Sequence, residues 1–216
     1  MPARGRQGRE WKKACERHGG RCDMIFATGN AGKMREIRAI WADTGWEIRS
    51  MEEAGIEAKI QEDGRTFEEN ALIKARAVAA LCGETVLADD SGLEVDHLNG
   101  EPGIYSARYM GENTSYSIKN ANIIARMEGV PQEKRTARFV CAVAAVLPDG
   151  REIVVRGTIE GLVGYEPKGE NGFGYDPIFY VPELGKTTGE ISEEEKNSIS
   201  HRGRALQLMK KELKKL

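Results

Sequence analysis

Met24-Ile25-Phe26-Ala27-Thr28-Gly29-Asn30-Ala31-Gly32-Lys33, followed by Met34-Arg35-Glu36-Ile37-Arg38-Ala39-Ile40-Trp41, is the stretch on which the fold turns. Met24 to Ala27 suit a short buried strand. From Lys33 onward the apolar positions Met34, Ile37, Ile40 and Trp41 recur at helical spacing until Gly45 stops the run. Thr28 to Lys33 therefore join a strand to a helix. At such a junction free backbone N–H groups, glycines and a lysine make a natural cradle for phosphate. The loop is not a Walker A motif, because its glycine spacing is too short and Met34 stands where Ser or Thr would meet magnesium. Taken alone, the segment is equally a turn followed by a surface lysine.

Downstream, Thr66 with Glu69 three residues on forms a capping-box pattern ahead of Phe67, Leu72, Ala75, Val78 and Ala79, and Gly83 fits the helix stop. Thr85 to Ala88 reads as a short strand running into Asp89 and Asp90, whose side chains point to opposite faces if strand geometry continues. On that reading only one of the two acids faces a cleft, and Asp89 is a candidate cap for the following loop. Ser115 to Met127 is a third helical stretch, and Arg138 to Leu147 is an apolar strand that turns at Pro148-Asp149-Gly150 toward a return strand over Glu152 to Ile159. Gly161 to Asp176 is rich in glycine, too irregular for regular structure and apt for close approach to a planar ligand. A last helix is expected from about His201 to Lys215. His97 has no motif around it and reads as a loop residue.

The bulk composition narrows the function classes. The 216 residues are 40% hydrophobic and 31% charged with 25 glycines, which suits a loop-rich globular enzyme of one folding unit, with or without two lobes. A net charge of -2 offers no global basic field for a nucleic-acid polymer, while a small anionic ligand remains compatible. No apolar run approaches the length of a bilayer span, and the N-terminus lacks the apolar stretch of a signal peptide, so a cytoplasmic protein is expected. Residues 1 to 22 carry seven Lys and Arg with few apolar residues. A disordered extension over 1–23 is expected there, with the folded domain over 24–216. Cys15, His18 and Cys22 supply only three candidate metal ligands with no obvious fourth, and with no C-x-x-C spacing among Cys15, Cys22, Cys82 and Cys141 reduced thiols are expected.

A resemblance carries the reading further. Thr28-Gly29-Asn30-Ala31-Gly32-Lys33, Glu62 to Ala71, Ala88-Asp89-Asp90-Ser91-Gly92-Leu93, Pro102 to Tyr109, Gly172 to Phe179 and Ser200-His201-Arg202-Gly203 follow one another in the order of the signature blocks of the inosine and xanthosine triphosphate pyrophosphatase family. The chain resembles that family from about Met24 to its C-terminus. The order of elements and the resemblance together predict an α/β fold: a long, mixed, twisted sheet with flanking helices forming two lobes around a nucleotide cleft. The resemblance implies a homodimer and Mg2+ as the cofactor.

The resemblance also distributes roles. Asp90 matches the family's metal-binding aspartate and proton acceptor, and Glu62 a second magnesium ligand; hard carboxylate oxygens suit that ion. Lys33 and Lys196 are implied as cations for the triphosphate, with Thr28, Gly29, Asn30, Ala31, Gly32 and Ser91 as neutral partners. A triphosphate carries about four negative charges and one magnesium cancels about two, so the lysines and Arg202 have a physical task. Alone, Lys196 behind Glu193, Glu194 and Glu195 reads as part of a solvated helix face. Phe173, Gly174, Tyr175 and Asp176 match the base-binding stretch, and His201 and Arg202 are implied donors to the 6-carbonyl that distinguishes deaminated purines from adenine. Two rival readings stay open: a pyrophosphatase of other modified nucleotides, and a nucleotide sensor without catalysis. Lys33, Glu62 and Asp90, all present, argue against the second.

Overall fold

The computed structural model describes residues 23–216. The expected disordered extension and the Cys15, His18 and Cys22 group lie outside the described residues, save for Asp23, which opens the first strand. β1 (Asp23–Phe26) leads through the Thr28 loop into α1 (Ala31–Trp41), as the hydrophobic period requires. The Asn30 side chain caps α1 by accepting from the Lys33 N–H at 3.1 Å. A short 3-10 turn over Ala42–Thr44 extends the run, and Gly45 ends it in the left-handed region at φ 72°. β2 (Glu47–Ser50) returns parallel to β1, with Met24 opposite Ile48.

α2 (Phe67–Cys82) starts at Thr66, whose hydroxyl accepts from the Glu69 N–H. The Glu69 carboxylate bonds the N–H of Arg65, one residue earlier than a capping box prescribes. β3 (Val86–Val95) pairs parallel with β1, placing Ile25 opposite Val86 and Phe26 opposite Leu87. β3 is longer than the sequence suggests: it continues through Asp89 and Asp90 for ten residues, because lysines from α1 and α2 balance both buried acids. α3 (Tyr116–Arg126), β4 (Thr136–Val146) and β5 (Glu152–Val163) follow. β5 takes in Gly161 to Val163, so the irregular segment begins only after them. β6 (Phe179–Val181) and β7 (Lys186–Thr187) are antiparallel additions, and α4 (Glu193–Ile199) and α5 (His201–Leu213) close the chain. The sheet is mixed and seven-stranded, in the order β2-β1-β3-β4-β5-β6-β7, and the α/β class expected from the sequence is what the chain adopts.

The chain clusters into two compact units. The first comprises the residues up to Asp90 with Ala142–Arg156 and Ala205–Leu216; the second comprises Ser91–Cys141 and Gly157–Arg204. The first buries Met24, Ile25 and Phe26 of β1, Ile37 and Trp41 of α1, Phe67, Ala71, Ala75 and Val78 of α2, and Leu206, Met209 and Leu213 of α5. Trp41 ties two of these helices, its indole N–H donating to the Leu206 carbonyl at 3.2 Å. Its ring meets Trp46 edge-on, with centroids 5.2 Å apart. The second unit has its own core of Leu93, Val95, Ile123, Met127, Phe139, Ile159, Tyr175, Ile178 and Phe179. Arg135 is buried beside that core and donates to the carbonyls of Val163, Met127 and Gly164. Among the described residues no helix is long and apolar enough to cross a membrane. Cys82 and Cys141 are free thiols.

Candidate active site

In the first unit the Thr28 loop lies between a buried strand and the start of α1. The Thr28 hydroxyl accepts from the Asn30 N–H at 3.2 Å, and Asn30 in turn caps Lys33. These two side-chain bonds fix the loop and leave the N–H groups of Ala31 and Gly32 with no acceptor among the described residues. Two unengaged amides at the positive end of an eleven-residue helix suit an anion. A groove of about 1060 Å³ is lined by Thr28, Gly29, Asn30, Arg35, Arg38 and Lys59, among others, large enough for a nucleotide-sized ligand.

Behind the loop stands a cluster of three acids and two lysines. Lys33 Nζ lies 2.9 Å from Asp89, whose carboxylate is fully buried. Asp89 is therefore a buried partner of Lys33, not a loop cap, which corrects the sequence expectation. Lys74 of α2 reaches Glu62 at 2.7 Å and Asp90 at 3.6 Å, so one ammonium group joins the two acids matched to metal binding. Asn70, one turn earlier on α2, donates to Asp90 Oδ2 at 3.0 Å. Neither Lys74 nor Asn70 is among the residues singled out from the sequence. The usable signal is their i, i+4 spacing beside the apolar positions Phe67, Ala71, Ala75 and Val78, which puts two polar side chains near a buried face.

The electrostatics follow from this crowding. Burial pushes the Asp90 carboxyl above the ordinary carboxylate range; Lys74, Lys33 and the Asn70 hydrogen bond pull it back, while Glu62 adds repulsion. For Lys74 burial opposes the charge, but Asp90, Asp89 and Glu62 together outweigh it and hold the ammonium above its usual value. Three carboxylates against two ammonium groups leave one formal negative charge. No group of three or more His, Cys, Asp or Glu side chains is arranged to hold a metal among the described residues. Two convergent hard carboxylates, Glu62 and Asp90, do fit Mg2+, which usually takes one or two protein carboxylates and completes its shell with phosphate and water.

The second unit gathers a different set. Asp176 is buried and fully engaged: Oδ2 accepts from the Phe173 N–H at 2.7 Å and from Lys196 Nζ at 2.6 Å, and Oδ1 accepts from the Thr188 hydroxyl at 2.8 Å. The loop wraps this carboxylate so closely that a Cβ at Gly172, where φ is +75°, would overlap Asp176. Lys196 is not on a solvated face; it is 4% exposed, which its partner twenty residues earlier explains. The Phe173 ring is half-buried, with Lys196 Nζ 4.7 Å and the Arg202 guanidinium 5.7 Å from its centroid. Arg202 also donates to Ser91 Oγ at 2.9 Å, which brings together two residues expected in separate roles. The His201 ring is buried and stacks on Phe139, centroids 4.8 Å apart.

Tyr175 is held by the chain's own groups. Its ring is buried edge-on against Tyr116, and its hydroxyl donates to the Ser106 carbonyl, so the side chain braces the loop. Burial pushes its phenol far above the usual range. Gly174 belongs to the same brace, its carbonyl accepting from the Asn120 amide at 3.1 Å.

The Ham1 family matches residues 24–212. The dITP/XTP pyrophosphatase of Exiguobacterium sibiricum is 48% identical over 183 residues, 85% of this chain and 92% of the relative. That of Bacillus subtilis is 46% identical over 189 residues, 88% of this chain and 96% of the relative. Among solved structures, the Staphylococcus aureus Ham1 protein superposes with a TM-score of 0.80 at 43% identity, covering 89% of this chain and 98% of its own. A HAM1 protein from Coxiella burnetii gives 0.82 at 37% identity, covering 90% and 100%.

Proposed function

Because the chain belongs to the Ham1 family, we propose that it hydrolyses deaminated purine nucleoside triphosphates, ITP, dITP and XTP, to the monophosphate and pyrophosphate with Mg2+ as cofactor. The observation that carries this reading is the junction of Glu62 and Asp90 through Lys74, in the same unit as a helix-start loop with two unengaged amides. The Ala31 and Gly32 amides and Lys33 bind phosphate oxygens. The approaching phosphates draw Lys33 from Asp89 and Lys74 from Glu62, exchanging one anionic partner for another. Held by Glu62 and Asp90, Mg2+ would neutralise part of the phosphate charge.

Asp90 orients a water toward the α-phosphorus and takes its proton as the new P–O bond forms. The bond from the α-phosphorus to the bridging oxygen breaks, and pyrophosphate leaves with that oxygen. Phe173 stacks on the base, and donors from His201 and Arg202 meet the 6-carbonyl. Adenine would leave those donors facing its amino group, at about 1 to 3 kcal/mol for each unpaired buried group. A cytoplasmic homodimer acting on free nucleotides, not on a polymer or a membrane, belongs to the same reading.

Pyrophosphate release from dITP, XTP, dATP, dGTP and modified pyrimidine triphosphates, with and without Mg2+, tests it. Fast Mg2+-dependent release from dITP and XTP is expected. A clear preference for a pyrimidine would move the substrate class, and tight binding without release would make the protein a sensor.

A further inference from the structure

Asn70 joins Asp90 to the backbone two residues after Glu62, and none of its surface is exposed. Its Nδ2 donates to Asp90 Oδ2 at 3.0 Å, and its Oδ1 accepts from the Gly64 N–H at 2.9 Å. The orientation of the amide is forced: a flip would face two donors at Gly64 and two acceptors at Asp90. Gly64 stands two residues after Glu62, in a segment from Ile56 to Gly64 with no helix or strand of its own. The contact is also shaped for this pair, since a Cβ on Gly64 would lie 2.7 Å from Asn70 Oδ1 and 2.9 Å from the Asn70 backbone nitrogen.

We propose that Asn70 is a positioning residue that clamps the Glu62 segment to the Asp90 carboxylate, so that the two acids keep one separation while the lysine between them is free to leave. The inference rests on the reading of Glu62 and Asp90 given above. Lys74 also joins the two acids, but it is a cation, and arriving phosphates or a competing divalent ion would pull or push it away. The neutral amide has no such reason to move. Being planar and buried, it fixes which Asp90 oxygen is occupied and leaves Oδ1 toward Lys74. An irregular segment has no ladder of its own to hold Glu62 in place, and the Asn70 bond to Gly64 supplies that anchor.

The test compares the parent with Asn70→Ala, reading dITP turnover against Mg2+ and binding of Mn2+ alone as a spin probe. The expected result is a kcat at least tenfold lower with KM for dITP within threefold. Mn2+ is expected to bind at least fivefold more weakly, and amide exchange at Gly64 to quicken while that of the α2 core holds. Parent-like kcat in a folded variant overturns the proposal. So does Mn2+ bound no more weakly by the variant than by the parent, since a merely structural residue would lower the variant's activity only through its folded fraction and leave the Mn2+ affinity of the folded molecules unchanged. If Asn70→Ala does not fold, Asn70→Asp is read by the same kcat and KM criteria. It keeps the size and the acceptor for Gly64, and in place of the donor it sets a second carboxylate oxygen against Asp90, so the hold on Asp90 is lost and a negative charge is added beside it. A parent that releases no pyrophosphate from dITP sinks the functional reading, while the Mn2+ comparison and Gly64 exchange still decide on the clamp.

Discussion

The Lys33–Asp89 pair of the first unit and the Lys196–Asp176 pair of the second join the same two groups at 2.9 and 2.6 Å, yet their surroundings differ. In the first, Lys33 and Lys74 keep 16% and 12% of their side-chain surface, and Glu62 keeps 29%. On the proposed function each cation exchanges its acid for a phosphate oxygen. In the second, Lys196 keeps 5% and Asp176 2%, and both Asp176 oxygens already accept from the chain's own donors. An ion pair with all acceptors used holds a loop in shape; one that keeps a solvent-facing side can handle a charged substrate. On the proposed function, the same chemistry is reactive in the first unit, where the lysines keep a solvent-facing side, and architectural in the second, where Lys196 is sealed.

The strongest challenge to that division is Asp90→Asn, expected to lower kcat by about 10²- to 10⁴-fold with the fold intact, as for loss of a positioned base. Full turnover in that variant would strip the first unit of its reactive status. Asp176→Asn should act on stability instead, costing about 3 to 5 kcal/mol because Lys196 is left buried without its counterion. Urea unfolding measures this, and a loss under about 1 kcal/mol would mean the sealed pair does not hold the loop. Phe173→Ala should raise KM for dITP about tenfold, within the ~1 to 3 kcal/mol typical of stacking on a base, and leave saturated turnover close to the parent. A change in kcat with KM unmoved would place the ring in the chemistry.

The smallest effect sharpens the comparison with an open pair. Arg138 lies 2.9 Å from Asp96 on the second unit's surface, and the Thr136 hydroxyl, then Arg138, hold the Asp96 carboxyl below its ordinary value. A lowered native pKa means the unfolded chain takes up the proton first as pH falls. Stability from this group is therefore present above the ordinary value of 3.8 and is lost as pH drops through the lower native value. Asp96→Asn should cost no more than about 1 kcal/mol at neutral pH, since solvent screens the pair. Denaturation curves of variant and parent should converge in acid; a gap that widens there reverses the sign and removes the assignment.

The sequence made the framework readable where periodicity and caps coincide. Met24 to Trp41 and Thr66 to Gly83 became strand, loop and helices because their apolar spacing and terminal residues point the same way. What stayed hidden depends on partners far along the chain. Asp89 and Asp90 look like the end of a strand until Lys33 and Lys74, both from other elements, are seen to neutralise them. Lys196 looks solvated until Asp176 is brought to it, and nothing near Tyr175 in the sequence announces that the Ser106 carbonyl accepts its hydroxyl. Lys74 gave the weakest signal, one lysine on an amphipathic helix, and only tertiary placement shows that it joins two acids.

Trp41 and its neighbour Trp46 have a consequence for spectroscopy. Both described tryptophans belong to the first unit, while all six tyrosines of the chain, from Tyr105 to Tyr180, belong to the second. Emission excited at the red edge, where tyrosine is silent, therefore reports the first unit's indole pair against the α5 backbone, with Trp11 adding a background. Second-derivative absorbance, in which the tyrosine fine structure separates from the indole bands, reports the second. One molecule thus carries two separately readable optical channels, and denaturation followed in both at once asks whether its halves melt at a common midpoint or one ahead of the other.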